Sequence, residues 1–173
     1  MPIIGSRGAA SAVGFGQRSG ASILIDASGG SVEEIGDFRV HTFTANGNFV
    51  VNDISASLST PEKAVDYVVV AGGGGGGYSY GAGAGAGGFR ESHVEAISGP
   101  YTASPLASTT SIPISASPGT YPIVVGAGGG QSGLYADGQN GSPSSFSTIS
   151  ASGGGGGGGT GQGPGNPGGS GGG

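Results

Sequence analysis

Residues 65–88 read VDYVVVAGGGGGGYSYGAGAGAGG, an apolar strand that runs directly into a chain of glycines. The same pattern recurs at 121–130 (YPIVVGAGGG) and 146–159 (FSTISASGGGGGGG). A strand with apolar residues on both faces needs cover on both sides, so Val65 to Ala71 is expected to be the most buried element. The glycines that follow have no side chains to bury. Fixing a backbone residue costs ~1–2 kcal/mol, and glycine loses more freedom than any other residue. Two outcomes remain open: flexible linkers, or extended three-fold helices lying side by side, in close backbone contact as in collagen. The interrupting Ala82, Ala84 and Ala86, with Tyr78 and Tyr80, suit more than a spacer. Gly72, Gly126 and Gly153 each come straight after a strand. If those strands share a sandwich and one exit end, their runs leave as a bundle, and three chains about an axis would give each run more neighbours. A homotrimer is therefore expected.

With 44 glycines in 173 residues, only a modest core is available. The fold class expected is all-β, a small jelly-roll-like β-sandwich feeding glycine-rich extended segments. Residues 1–25 carry isolated apolar side chains, spaced too widely for a helix face or a strand. They read either as disordered or as an arm that docks Ile3, Ile4, Arg7, Val13 and Phe15 onto a neighbouring protein. Residues 26–152 form the β-rich domain. Ile23 to Asp26 begins a weak strand. Phe38 to Asn52 reads as a hairpin with a loop at Ala45-Asn46-Gly47, Gly47 left-handed, which sets Phe43 opposite Phe49 and His41 opposite Val51. Phe89 to Ile97 suits a surface strand rather than a helical turn, and Ile112 to Ser115 an edge strand among prolines. Tyr121 to Val125 and Ser145 to Ile149 are the last strands, with a turn at Asn140-Gly141. Residues 153–173 read as a glycine-rich tail that stops inside a run, so the chain is expected to continue.

Composition excludes several functions. The five basic residues, Arg7, Arg18, Arg39, Lys63 and Arg90, are scattered singly in a chain of net charge -5, which gives no footprint for nucleic acid. No apolar run approaches the ~20 residues of a membrane span, and MPIIGSRGAASAVGFGQRSG lacks a charged n-region followed by an apolar h-region, so no secretion signal is expected. Without cysteine, neither disulfides nor thiolate metal ligands are available. Gly72-x-Gly74-x-x-Gly77 and Gly83-x-Gly85-x-x-Gly88 match the dinucleotide fingerprint only because polyglycine matches it everywhere, and no helix is expected after either. Gly168-x-Ser170-x-Gly172 meets the nucleophile-elbow pattern by the same triviality. His41 (near Asp37 and Asp53) and His93 (near Glu91 and Glu95) are better read as polar strand residues than as metal ligands or a general base. Scattered carboxylates do not supply a glycosidase pair. The expectation is no enzyme and no cofactor. Tyr78, Tyr80, Phe89 and Tyr101 either plug the end of the core or form a stacking surface for a receptor.

Taken in order, HTFTANGNFVV, VDYVVVAGGGGGG, GGFRE, YPIVVGAGGG, NGSPSSFSTISASGGGGGGG and PGNPGGSGGG resemble the glycine-rich domain of structural proteins from tailed bacteriophages, notably marine and cyanobacterial ones. The opening MPIIGSRGAASAVGFG is similar to the start of such proteins. The resemblance implies a virion component of the tail-fibre or appendage type, made in the host cytoplasm. Its partners would be other virion proteins at the first residues and a host-surface receptor at the glycine-rich end. The alternative is a capsid decoration or head-fibre protein with no receptor role.

Overall fold

The computed structural model describes residues 3–7, 25–36, 38–59, 62–78, 81–115, 119–131, 133–160 and 164–169. The fold is an all-β sandwich. Its first sheet comprises β1 (Ile3–Arg7), β3 (Ser31–Ile35), β4 (Phe38–Thr42), β6 (Ala64–Val70) and β7 (Phe89–Glu91), in the order β3-β4-β1-β6-β7, with β8 (Ile112–Pro113) also on β6. The second comprises β2 (Ile25–Ser28), β5 (Gly47–Ile54), β9 (Gly119–Val124), β10 (Ser144–Phe146) and β11 (Ile149–Ala151), in the order β11-β10-β9-β5-β2. All the strand pairings are antiparallel. One short helix, α1 (Glu95–Ser98), lies over β1 and β6.

β6 is covered on both faces, with Ala64 to Tyr67 and Val69 buried and Val68 and Val70 half-buried. Val65, Tyr67 and Val69 face the second sheet, whose Phe49, Val51, Ile123 and Phe146 alternate inward. Phe146 meets Phe49 edge-on at 6.1 Å and Tyr67 at 6.4 Å, a favoured aromatic geometry. The opposite face of β6 carries a buried carboxylate, Asp66. Its two oxygens accept from the hydroxyls of Ser92, Ser98 and Ser111 and from the Val94 backbone N–H, at 2.5–2.8 Å. Four donors replace the water the carboxylate loses, and in doing so they tie segment 92–111 onto the strand.

Several sequence expectations are corrected. β4 and β5 do not pair: the chain crosses between the sheets at 43–46, β4 pairs with β3 and β1, and β5 pairs with β2 and β9. Gly47 is not left-handed. The aromatic residues still converge, with His41 edge-on to Phe49 at 5.0 Å, because the crossing stacks them between layers rather than across a hairpin. Ser145 to Ile149 is not one strand but the junction of β10 and β11, turned by Ser147 at φ 52°. Phe89 to Ile97 splits into β7 and α1.

Ile3, Ile4 and Arg7, expected in an unstructured or docking arm, lie in β1, in the middle of the first sheet. Two flanking strand edges supply hydrogen bonds that spacing of apolar residues does not reveal. Val13 and Phe15 fall outside the described residues.

Candidate functional site: the glycine bundle and its tip

Five strands continue without a break into glycine. β6 passes into the run 71–78, the run 81–88 returns into β7, β9 passes into 126–130, 136–142 returns into β10, and β11 passes into 152–159. A sixth run, 164–169, returns alongside the fifth. Hydrogen bonds between runs recur every third residue. Ala71, Gly74 and Gly77 donate to Gly88, Gly85 and Ala82; Gly72, Gly75 and Tyr78 donate to Ser142, Gln139 and Ala136. Gly154 and Gly157 donate to Gly72 and Gly75, and Gly138 and Gly141 to Gly157 and Gly154. That period is the three-residue turn of a polyproline-II-type helix. The described glycines of positive φ, Gly29, Gly30, Gly36 and Gly99, all lie outside the runs, which accords with that left-handed helix.

The bundle therefore has a core made of backbone. Gly154 to Gly159 are all buried, although they have no side chain. A Cβ at Gly74 would overlap the carbonyl of Gly155, and one at Gly156 that of Gly138, so close approach explains why these positions are glycine. The packed-helix outcome holds, and it is reached within one chain. The fifth run alone bonds to the first, second, fourth and sixth, which removes the need for three chains to supply neighbours. Residues 153–159, set apart from the sequence as a tail, are the interior of the bundle. Asn140-Gly141 is not a turn. Asn140 lies in the fourth run, where its side chain accepts from Gly156 N–H at 2.9 Å and donates to the Pro167 carbonyl at 3.2 Å.

Because runs alternate in direction, the described residues that end them, Tyr78 and Gly81, Gln131 and Gly133 to Ala136, and Thr160 and Pro164, fall at the end away from the sandwich. Tyr78 N–H donates to the Ala136 carbonyl at 3.4 Å, Thr160 Oγ1 donates to the Tyr78 carbonyl at 3.3 Å, and Asp137 Oδ1 accepts from Gly159 N–H at 2.7 Å. The Tyr78 ring meets Tyr135 at 6.4 Å and 66°. Leu134 and Tyr135 are 69% and 61% exposed, and Tyr135 holds φ 62°, uncommon for a bulky residue. The tip thus displays Leu134 and Tyr135, with the half-buried Tyr78 ring against Tyr135, on a base with few side-chain rotamers to freeze, an arrangement suited to stacking on an apolar or sugar surface.

The four aromatic residues singled out from sequence are not brought together. Tyr78 is at the tip and Tyr80 lies outside the described residues. Phe89, 52% exposed, begins β7 at the other end of the second run. Tyr101 stacks on His93 at 4.1 Å and donates to Glu91 at 3.3 Å; burial and then the Glu91 carboxylate raise its phenol above the usual range. Leu134 and Tyr135 were missed, although LY is the only bulky apolar pair between the third run and β10.

The two histidines are far from equivalent. His93 donates from Nε2 to the Gly99 carbonyl at 2.9 Å. His41 is fully buried; its Nδ1–H donates to the Gly29 carbonyl at 2.9 Å, and its Nε2 has no hydrogen-bond partner among the described residues. Burial, and secondarily Arg39, lower its pKa against the opposing Gly29 bond. Among the described residues no three His, Cys, Asp or Glu gather in a metal-ligand group, and no helix is long and apolar enough to cross a membrane.

Fold and tip together define a class: a β-sandwich whose strands are prolonged into a bundle of polyglycine helices. The chain belongs to the glycine-rich domain family, whose model matches residues 44–173. That span takes in β5 to β11 and the whole bundle, and leaves β1 to β4 outside it. No curated protein and no solved structure matches the chain.

Proposed function

We propose that this chain is a non-catalytic structural protein of a tailed-bacteriophage particle, of the tail-fibre or appendage type, which attaches by its sandwich end and offers the bundle tip to the host surface. The observation that carries the reading is the gathering of run ends at one end of the bundle, where Leu134 and Tyr135 are exposed and Tyr78 packs against Tyr135. A bundle whose interior is hydrogen-bonded backbone needs no side chain from the tip to fill it. That division separates holding from recognising, as loops on a rigid scaffold do. The phage setting rests on the ordered series of sequence words given above. Copies assemble through the sandwich end rather than through the glycine runs, whose neighbours come from one chain.

The test is binding of the fluorescently labelled chain to intact cells of a panel of marine bacteria and cyanobacteria, with the double variant Leu134→Ser, Tyr135→Ser as comparison. Both positions are exposed, so the variant is expected to melt within a few degrees of the parent and to lose at least tenfold in cell binding. Equal binding by both proteins would remove the receptor role and leave a capsid decoration or head-fibre protein as the reading.

A further inference from the structure

Among the described residues, β1 is the strand that links the β3-β4 hairpin to the rest of the first sheet. Its residues pair Ile3↔Thr42, Ile4↔His41, Gly5↔Val40, Ser6↔Arg39 and Arg7↔Phe38 on one side, and Ile3↔Val68, Ile4↔Tyr67 and Gly5↔Asp66 on the other. Lift β1 out, and β4 and β6 face each other across an empty strand position, each with a row of unpaired backbone groups. Such a slot accepts an extended segment by strand addition. The β4 wall lies outside the residues that match the family and the β6 wall lies within them. β1, itself outside the matched residues, thus covers an edge of β6, which lies inside them.

We infer that the slot between β4 and β6 is an assembly site whose occupant is the Ile3–Arg7 strand of a second copy of this chain. Two features of the molecule support exchange. First, β1 joins β2 through residues 8–24, which at full extension reach roughly 55–60 Å, further than the width of a sandwich of this size. A strand from one copy can therefore lie in the sheet of another while the rest of each chain keeps its fold. Second, β1 carries Gly5 at its centre, and the main-chain pairings it makes with β4 and β6 are ones that a second copy reproduces one for one; an exchanged element makes the contacts it made at home. Glycine inside a strand also weakens its hold relative to a β-branched residue. The exchange needs no change at the bundle tip, and it stands whether or not the tip binds a host.

The absence of cysteine allows a direct test with the full chain. One preparation carries Ser6→Cys and a second, of different tag length, carries Arg39→Cys; the neighbouring pair Gly5→Cys and Val40→Cys is run in parallel, because adjacent pairs alternate between wide and close Cα spacing. The two are mixed, incubated and oxidised, and products are separated without reductant. A disulfide-linked mixed dimer that grows with protein concentration, and that disappears when Ile4→Pro is added to the cysteine-bearing strand, is the expected result. The chain with both cysteines serves as control for the register. Closure within that chain with no mixed dimer from the separate preparations would overturn the proposal, since β1 would then stay in its own sheet. Failure of the double variant to close would overturn it through the register, and so would a mixed dimer that survives Ile4→Pro, which would mark random collision.

Discussion

At the scale of single residues, glycine here is a matter of distance. At Gly74 an added methyl would overlap the Gly155 carbonyl, whereas at Gly76 its nearest neighbour is the Ala82 carbonyl, 4.0 Å away. Gly74→Ala is therefore expected to destabilise the protein by roughly 2–3 kcal/mol, as forced overpacking does, and Gly76→Ala to stay within ~0.5 kcal/mol of the parent. Thermal melts of the two variants check both numbers. Nothing in the run of letters tells Gly74 from Gly76; the difference is one of phase in a three-residue turn, visible only once the neighbouring runs are placed. His41 gives a second residue-scale expectation. Its pKa in the folded protein is lowered, so as pH falls the unfolded chain takes up the proton first. The contribution of neutral His41 is complete above the ordinary histidine pKa of about 6.5 and declines below it. The melting temperature should drop between pH 7.5 and pH 5, and the drop should shrink in His41→Phe, which keeps an aromatic ring against Phe49 and cannot titrate.

At the scale of elements, burial on two faces makes β6 the strand least able to accept a charge. Val69 is fully buried in the core cluster, and Val69→Asp would leave an uncompensated carboxylate there. Loss of soluble, cooperatively melting protein is expected, and a soluble variant with an unchanged melt would contradict the placement of β6. This strand was legible because apolar residues at six of its seven positions, all but Asp66, need cover on both faces. So were β9 and the β8 edge, bounded by glycine or proline. What the letters hid was partnership. β4 and β5 look like a hairpin, since the pattern of two β-prone runs around Asn46-Gly47 is identical whether the strands pair or part into two sheets. Asn46 has another task, accepting the Val125 N–H at 2.8 Å where β9 gives way to its run. β1 was unreadable for a related reason: the pairings that place it between β4 and β6 are made by the main chain, which leaves no signature in the letters. Asp66 did leave one, a lone carboxylate in VDYVVV, and the serines that satisfy it lie 26–45 residues further on.

At the scale of the molecule, the layering of the sandwich is carried into the bundle. β6 and β7, neighbours in one sheet, send out and receive the first and second runs; β9, β10 and β11, neighbours in the other, govern the third, fourth and fifth. The sheets thus set the spacing at which the runs begin, and bonds every third residue maintain it to the tip. One chain suffices for this order, which leads to a distinctive pattern of hydrogen exchange. In the first run the amides of Gly72, Gly74, Gly75 and Gly77 donate to other runs, while those of Gly73 and Gly76 donate no bond among the described residues. Exchange resolved by residue should therefore show two slow amides for each fast one from Gly72 to Gly77. The slow amides should be protected at least a hundredfold more than the fast, a gap of about 2.7 kcal/mol in opening free energy. Protection at Gly154 and Gly157, whose amides point into the first run, should be the same in dilute and concentrated protein, because their partners Gly72 and Gly75 belong to the same chain. Uniformly fast exchange across these glycines would mean mobile loops, and protection that rises with concentration would mean that several chains build the bundle together; either result would overturn the single-chain bundle described above.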